Sequence, residues 1–155
     1  MNTSRHIAKH FREVYFGGNW TACNLKDTLA DITWEESIYT TEGLNTIAVL
    51  VHHIHYYVKA VTKVLEGEEL NAKDELSFNH PSIENEEHWN KIKTNLWTDA
   101  EHFADLIESL PNDFLEKHFT HKKYGLYYRN LTGIIEHTHY HLGQIVILKK
   151  LIRKT

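Results

Sequence analysis

The chain has 155 residues, of which 41% are hydrophobic and 25% are charged, so it has the composition of one folded domain rather than a disordered chain. Lysine and arginine total 17 against 21 aspartate and glutamate residues, and the resulting net charge of −4 argues against nucleic-acid binding. The unusual feature is histidine, which occurs 13 times.

Cysteine content and the apolar runs indicate the compartment. Cys23 is the single cysteine, so no intramolecular disulfide can form, and a reducing environment is expected. Charged residues are spread through the first 16 positions, which is not the pattern of a signal peptide. The longest apolar run covers residues 47–51, far short of the ~20 residues of a membrane span. We therefore predict a soluble, cytoplasmic protein without a membrane partner.

Apolar residues recur at three- and four-residue intervals over four segments, which predicts four long helices. The predicted segments are residues 4–32, interrupted at Gly17 and Gly18 and resuming near Asn19; residues 45–65; a third helix that begins at residues 82–85, with Asn85 as N-cap, and ends before Pro111; and residues 130–153. The expected fold is all-α, a four-helix bundle forming a single domain over residues 1–155.

Two longer connections separate these helices. Residues 66–81 form a polar connection, too long for a tight hairpin. Residues 112–129 are expected to hold a short helical turn and an aromatic loop with neighbouring basic residues. That loop consists of Tyr124, Tyr127 and Tyr128, with Lys122, Lys123 and Arg129. It covers a cleft, recognises an anionic substrate, or is a solvated loop with partly buried rings.

Histidine spacing alone is weak support for a metal site. With 13 histidines in 155 residues, roughly one pair separated by four positions is expected by chance. Two such pairs occur, His6 with His10 and His137 with His141. The first pair lies at the edge of its apolar stripe and is predicted to be on the surface or in a groove.

The helical phase of the second pair is more informative. At about 100° per residue, His137 and His141 share the sector of Ile134 and Ile145, whereas His139 lies on the opposite face. A buried imidazole without a partner costs about 1–3 kcal/mol. A metal ion shared by both rings would satisfy them, and so would a hydrogen-bonded pair lining a wet cleft.

A third ligand would have to come from the second helix, which carries His52, His53 and His55. His52 lies opposite the apolar stripe of this helix. His53 and His55 occupy its two shoulders, and periodicity does not choose between them.

Two sequence motifs resemble those of the DinB-like superfamily. Residues 46–54, TIAVLVHHI, followed by Tyr56 and Tyr57, resemble its second helix. Residues 136–145, EHTHYHLGQI, are similar to its fourth-helix motif of two histidines four positions apart followed by Gly-Gln-Ile. The similarity also includes FGGNW at residues 16–20 and extends over essentially the whole chain.

This resemblance implies a four-helix bundle, often a homodimer, that holds a divalent metal ion with three histidines. The corresponding ligands here are His53, His137 and His141. Some members of the superfamily use the metal to activate a low-molecular-weight thiol for S-transfer or isomerisation, and many others have no established activity.

Three neutral imidazoles leave a metal ion with an open coordination position, where a water can be acidified toward a pKa of ~7 or a thiolate can bind. Zn²⁺ is expected first, and Ni²⁺ and Fe²⁺ also suit nitrogen ligands. Affinity should fall below about pH 6.5, where histidine becomes protonated. Gln144 and Tyr57 could bond a ligand imidazole or a substrate, although simple packing is the favoured interpretation of Tyr57.

The function expected from the sequence is a metal-dependent hydrolase or thiol S-transferase that acts on an unknown small molecule. The alternative is a non-catalytic metal-binding or stress-response module, or a helical interaction domain with metal-free histidines.

Overall fold

The computed structural model describes residues 2–154, so Met1 and Thr155 of the predicted domain lie outside the described residues. The α-helices are α1 (Thr3–Phe16), α2 (Leu25–Leu29), α3 (Trp34–Ser37), α4 (Ile47–Leu65), α5 (Glu86–Ser109) and α6 (Tyr127–Ile152). Short 3₁₀ turns cover Asp74–Phe78, Asn112–Glu116 and Lys122–Tyr124. Among residues 2–154, β-pairing is limited to an isolated bridge between His118 and Leu126, which confirms the all-α prediction.

The four long helices enclose one hydrophobic core. Both α1 and α4 pack against α5 and α6. In the core, the rings of Phe11 and Phe103 meet edge to face with centroids 4.8 Å apart. Trp89 is fully buried, and its Nε1 donates a hydrogen bond to the carbonyl oxygen of Ile32 at 2.8 Å. This bond ties α5 to the segment between α2 and α3.

The first predicted helix is shorter than expected and does not resume near Asn19. Gly17 and Gly18 have φ angles of +111° and +98°, values that glycine adopts readily and that end the α-helical path. The side-chain amide of Asn19 then donates to the carbonyl oxygens of Glu13 and Cys23, at 2.8 and 2.7 Å. These bonds hold a loop, and α2 begins only after Asn24, which caps it.

The second and third helices agree with their prediction. Thr46 caps α4 by accepting a hydrogen bond from the backbone N–H of Val49. Asn85 caps α5 as expected, accepting from the backbone N–H of His88, and α5 ends at Ser109, two residues before Pro111. None of the helices within residues 2–154 has the length and apolar content needed to cross a membrane.

The last helix begins three residues before the predicted start, which places Tyr127 and Tyr128 of the aromatic loop in its first turn. The backbone N–H of Tyr127 donates to the carbonyl oxygen of Lys117, and that of Phe119 donates to Gly125. This pairing between two parts of the connection fixes where α6 starts, and helical periodicity does not report such a non-local contact.

Candidate metal centre

The structure brings together three histidines from two helices. His53 comes from α4, and His137 and His141 come from α6, one turn apart. Their candidate ligand nitrogens all lie within 4.8 Å of one another. His53 and His141 are buried and His137 is half-buried. The predicted ligand residues are therefore close enough to share one ion.

The other histidines of the two helices lie elsewhere. The Nε2 atom of His55 is 2.7 Å from Oδ2 of Asp99 on α5, and this pair occupies the opposite shoulder of α4. His52 lies beside the backbone carbonyl of Leu76, at 3.4 Å. The ring of His139 is near that of His10, with centroids 6.2 Å apart. The choice between His53 and His55, which periodicity left open, is thus made by the packing of α4.

Hydrogen bonds fix the orientation of two of the three rings. Ser77 Oγ donates its proton to the carbonyl oxygen of Asp74 at 2.6 Å, so it accepts a proton from Nδ1 of His53 at 2.7 Å. Gln144 Oε1 accepts from Nδ1 of His141, also at 2.7 Å. With Nδ1 protonated in both rings, each Nε2 carries the lone pair that can bind a metal.

Ser77 and Phe78 belong to this site and were missed by the sequence analysis. Both lie in the 3₁₀ turn of Asp74–Phe78, within the polar connection after α4. Ser77 is fully buried, and the ring of Phe78 stacks on His53 with centroids 4.4 Å apart. A short turn has no periodicity that would predict its position, and only the fold of the connection places it against His53.

The expectations for Gln144 and Tyr57 compare differently with the structure. Gln144 hydrogen-bonds the imidazole of His141, one of the three predicted ligands. Simple packing does not describe Tyr57, because its hydroxyl donates to Oδ1 of Asp74 at 2.6 Å. Its ring also meets the rings of His53 and His137, each with a centroid separation of 5.2 Å. Tyr57 thus connects the histidine cluster to the Asp74–Phe78 turn.

Burial changes the acid–base properties of the cluster. Burial is the main cause that lowers the pKa of His137 to about 4, and the neighbouring His141 and His53 lower it further. Burial and the neighbouring His141 also lower the pKa of His53. Burial and the hydrogen bond to Asp74 raise the pKa of the Tyr57 hydroxyl to about 12. At neutral pH, His53 and His137 are therefore neutral, which is the state that binds a metal.

Two of the three donor atoms already have the spacing of a metal site. Two nitrogens bound to a tetrahedral ion at 2.0–2.1 Å lie about 3.4 Å apart. The Nε2 atoms of His137 and His141 are 3.1 Å apart. Without a metal, His137 Nε2 must donate to His141, because Gln144 keeps the proton of His141 on Nδ1. This hydrogen bond between the two rings matches the metal-free alternative, so a direct measurement of metal binding is decisive.

Comparisons of this chain with protein-family models, with curated proteins and with solved structures found no match. The resemblance to the DinB-like superfamily therefore rests on the sequence features described above.

Proposed function

We propose that this protein is a four-helix bundle of the DinB-like type that binds one divalent metal ion through His53, His137 and His141. The observation that carries the proposal is the convergence of three histidine nitrogens within 4.8 Å, with Nδ1 of His53 and of His141 held by Ser77 and Gln144. In metal sites, a ligand imidazole is commonly oriented by a hydrogen bond from the ring nitrogen that does not bind the metal.

The reaction that this site supports best is activation of water or of a small thiol, giving a hydrolase or a thiol S-transferase. When bound, a divalent metal supplies the Lewis acidity that favours loss of a proton from water or a thiol. His53, His137 and His141 bind and orient the ion, and Phe78 shields one face of the His53 ring. Zn²⁺ is the first candidate, followed by Ni²⁺ and Fe²⁺.

Metal content provides the first test. The protein would be purified without chelators, analysed for first-row metals, and titrated with Zn²⁺. We expect one ion per chain in the wild type and loss of high-affinity binding in His53→Ala, His137→Ala and His141→Ala. His139→Ala is the matched control because His139 lies on the same helix outside the cluster. No metal after purification and no uptake on titration would establish the metal-free alternative.

Activity provides the second test, and it separates an enzyme from a non-catalytic metal-binding module. Metal-loaded protein would be assayed with thiol conjugates and with hydrolysable esters and amides, beside His141→Ala. We expect turnover that requires the metal. Equal turnover by metal-stripped protein would contradict the proposed chemistry. Bound Co²⁺ whose absorption spectrum does not respond to added mercaptoethanol would favour a closed, non-catalytic site.

A homodimer is part of the same proposal, because the resemblance to the DinB-like superfamily implies one. An exposed apolar stripe on α6 supports it: Tyr140 and Ile147 are 66% and 58% exposed, and Gly143 lies between them. Sedimentation equilibrium should give twice the mass of the chain for the wild type. Ile147→Glu should shift that equilibrium toward the monomer if this stripe forms the interface.

A further inference from the structure

A cleft of about 600 Å³ extends from the candidate metal centre along α6. His137, Tyr57 and Asp74 line the end of the cleft nearest the histidine cluster. The walls of the cleft also include the apolar residues Ala60, Val61, Leu70, Phe119 and Ile134. The volume and the apolar walls are typical of a site for a small organic molecule.

The other end of the cleft is cationic. Lys123 and Arg129 line it where the connection before α6 meets the first turns of that helix. Lys123 lies over the Tyr124 ring, 4.8 Å from its centroid, and Arg129 Nη1 donates to the backbone carbonyl of Tyr124 at 3.4 Å. Within residues 2–154, neither side chain forms an ion pair with a carboxylate. Both cations are therefore available to an anionic ligand.

Charge is distributed unequally along the cleft. The carboxylates that line it, Asp74 and Glu136, belong to the end that holds His137, and Asp74 accepts the hydroxyl proton of Tyr57. Arg129 precedes His137 by eight residues, which corresponds to about 12 Å along a helix. In the metal-free protein, an anionic group is therefore attracted to the Lys123 and Arg129 end and is repelled by the carboxylates beside the histidine cluster.

We propose that this cleft binds an elongated small molecule with a carboxylate or phosphate group at one end. The anionic group would pair with Lys123 and Arg129, which can form charge-assisted hydrogen bonds with either chemistry. The apolar body would lie along α6, and the opposite, reacting end would reach the histidine cluster. The role given to the reacting end depends on the metal centre proposed above. Binding of the anionic group and of the apolar body depends only on the residues of the cleft.

Gly133 gives this proposal a direct test because it lines the cleft. A Cβ atom at Gly133 would have no neighbour within 4 Å, so a larger side chain would start in open space beside the cleft. Thr132, next to Gly133 on the same helix but outside the cleft, donates its hydroxyl proton to backbone carbonyl oxygens of that helix. Leucine is a better helix former than glycine or threonine, so both Gly133→Leu and the control Thr132→Leu should fold.

The experiment is calorimetric titration of metal-free protein with octanoate, octyl phosphate and octanol. We expect at least one of the two anions to bind about tenfold more tightly than octanol, and that advantage to be lost in Lys123→Gln with Arg129→Gln. The comparison between octanoate and octyl phosphate identifies the preferred anion. Gly133→Leu should abolish binding and Thr132→Leu should retain it. Equal affinity for octanol and both anions, or unchanged binding by Gly133→Leu, would overturn the proposal.

A second arm separates this proposal from the metal centre. Co²⁺-loaded protein would be titrated with ω-mercaptocarboxylates of increasing chain length and with mercaptoalcohols of the same lengths, following the thiolate–cobalt absorption. An affinity optimum at one length, present only for the carboxylates, would support a ligand that spans the cleft. Octanoate binding without metal uptake would refute the metal centre and retain the anionic cleft. Metal uptake with equal thiol affinities in both series would refute the anionic cleft alone.

Discussion

Replacing Ser77 by alanine tests whether the Asp74–Phe78 turn orients a metal ligand. Ser77 is fully buried, and its hydroxyl is the acceptor for Nδ1 of His53 and a donor to the backbone of Asp74. The substitution removes both bonds and leaves every candidate ligand in place. Any change in metal affinity would then report on the orientation of His53 rather than on the number of ligands.

The expected magnitudes follow from these contacts. Loss of a hydrogen-bond partner for a metal-binding histidine lowers metal affinity by about 10- to 100-fold, equivalent to about 1.4–2.7 kcal/mol. In the metal-free protein, the buried Nδ1–H of His53 loses its acceptor, which costs about 1–3 kcal/mol of unfolding free energy. For a chain of 155 residues, each kcal/mol lowers Tm by about 2–4 °C.

The assay is competition for Zn²⁺ against a chromophoric chelator, with thermal unfolding of the metal-free protein measured in parallel. Ser82→Ala is the matched control because Ser82 is exposed and its hydroxyl contacts only the nearby Glu84 carboxylate, at 3.1 Å. Circular dichroism would verify that both variants fold. Zinc affinity of Ser77→Ala equal to that of the control would refute the assignment of Ser77 as the group that positions His53.

Other contacts give three further predictions. Because burial lowers the pKa values of His53 and His137, both rings of the metal-free protein should titrate below pH 6.5 when followed by NMR, His137 near pH 4; midpoints at or above pH 6.5 would contradict the burial of these two rings. Asp31 forms ion pairs with Lys149 and Arg153 that lower its pKa. Asp31→Asn should therefore lower the unfolding free energy at pH values above the unfolded-state pKa of about 3.9. The loss should be at most about 1 kcal/mol because Asp31 is largely exposed. That difference should disappear in urea titrations as the pH falls through the folded-state pKa, and persistence in strongly acidic solution would show another cause. Trp89→Phe should cost about 1–3 kcal/mol in urea unfolding because the Ile32 carbonyl loses its buried donor; an unchanged midpoint would mean that this bond is replaced.

Local sequence rules predicted the long helices accurately wherever the chain carries both an apolar stripe and a capping residue. This is the case for α4, which starts after Thr46, and for α5, which starts after Asn85. The rules failed after Gly18, where hydrogen bonds from the Asn19 side chain stabilise a loop, and at the start of α6, where backbone pairing with the preceding connection sets the boundary.

The excess of histidine was itself a poor guide to function, because 13 such residues make a chance pair at helical spacing unremarkable. The sequence by itself determined that the fold is all-α and that His137 and His141 share one face of a helix, since both follow from the 3.6-residue period. Tertiary structure decided the rest. It placed His53 rather than His55 beside that pair, brought Ser77 against His53, and formed the cleft leading to Lys123 and Arg129. These contacts join residues far apart in the chain, and helical periodicity carries no information about which faces meet.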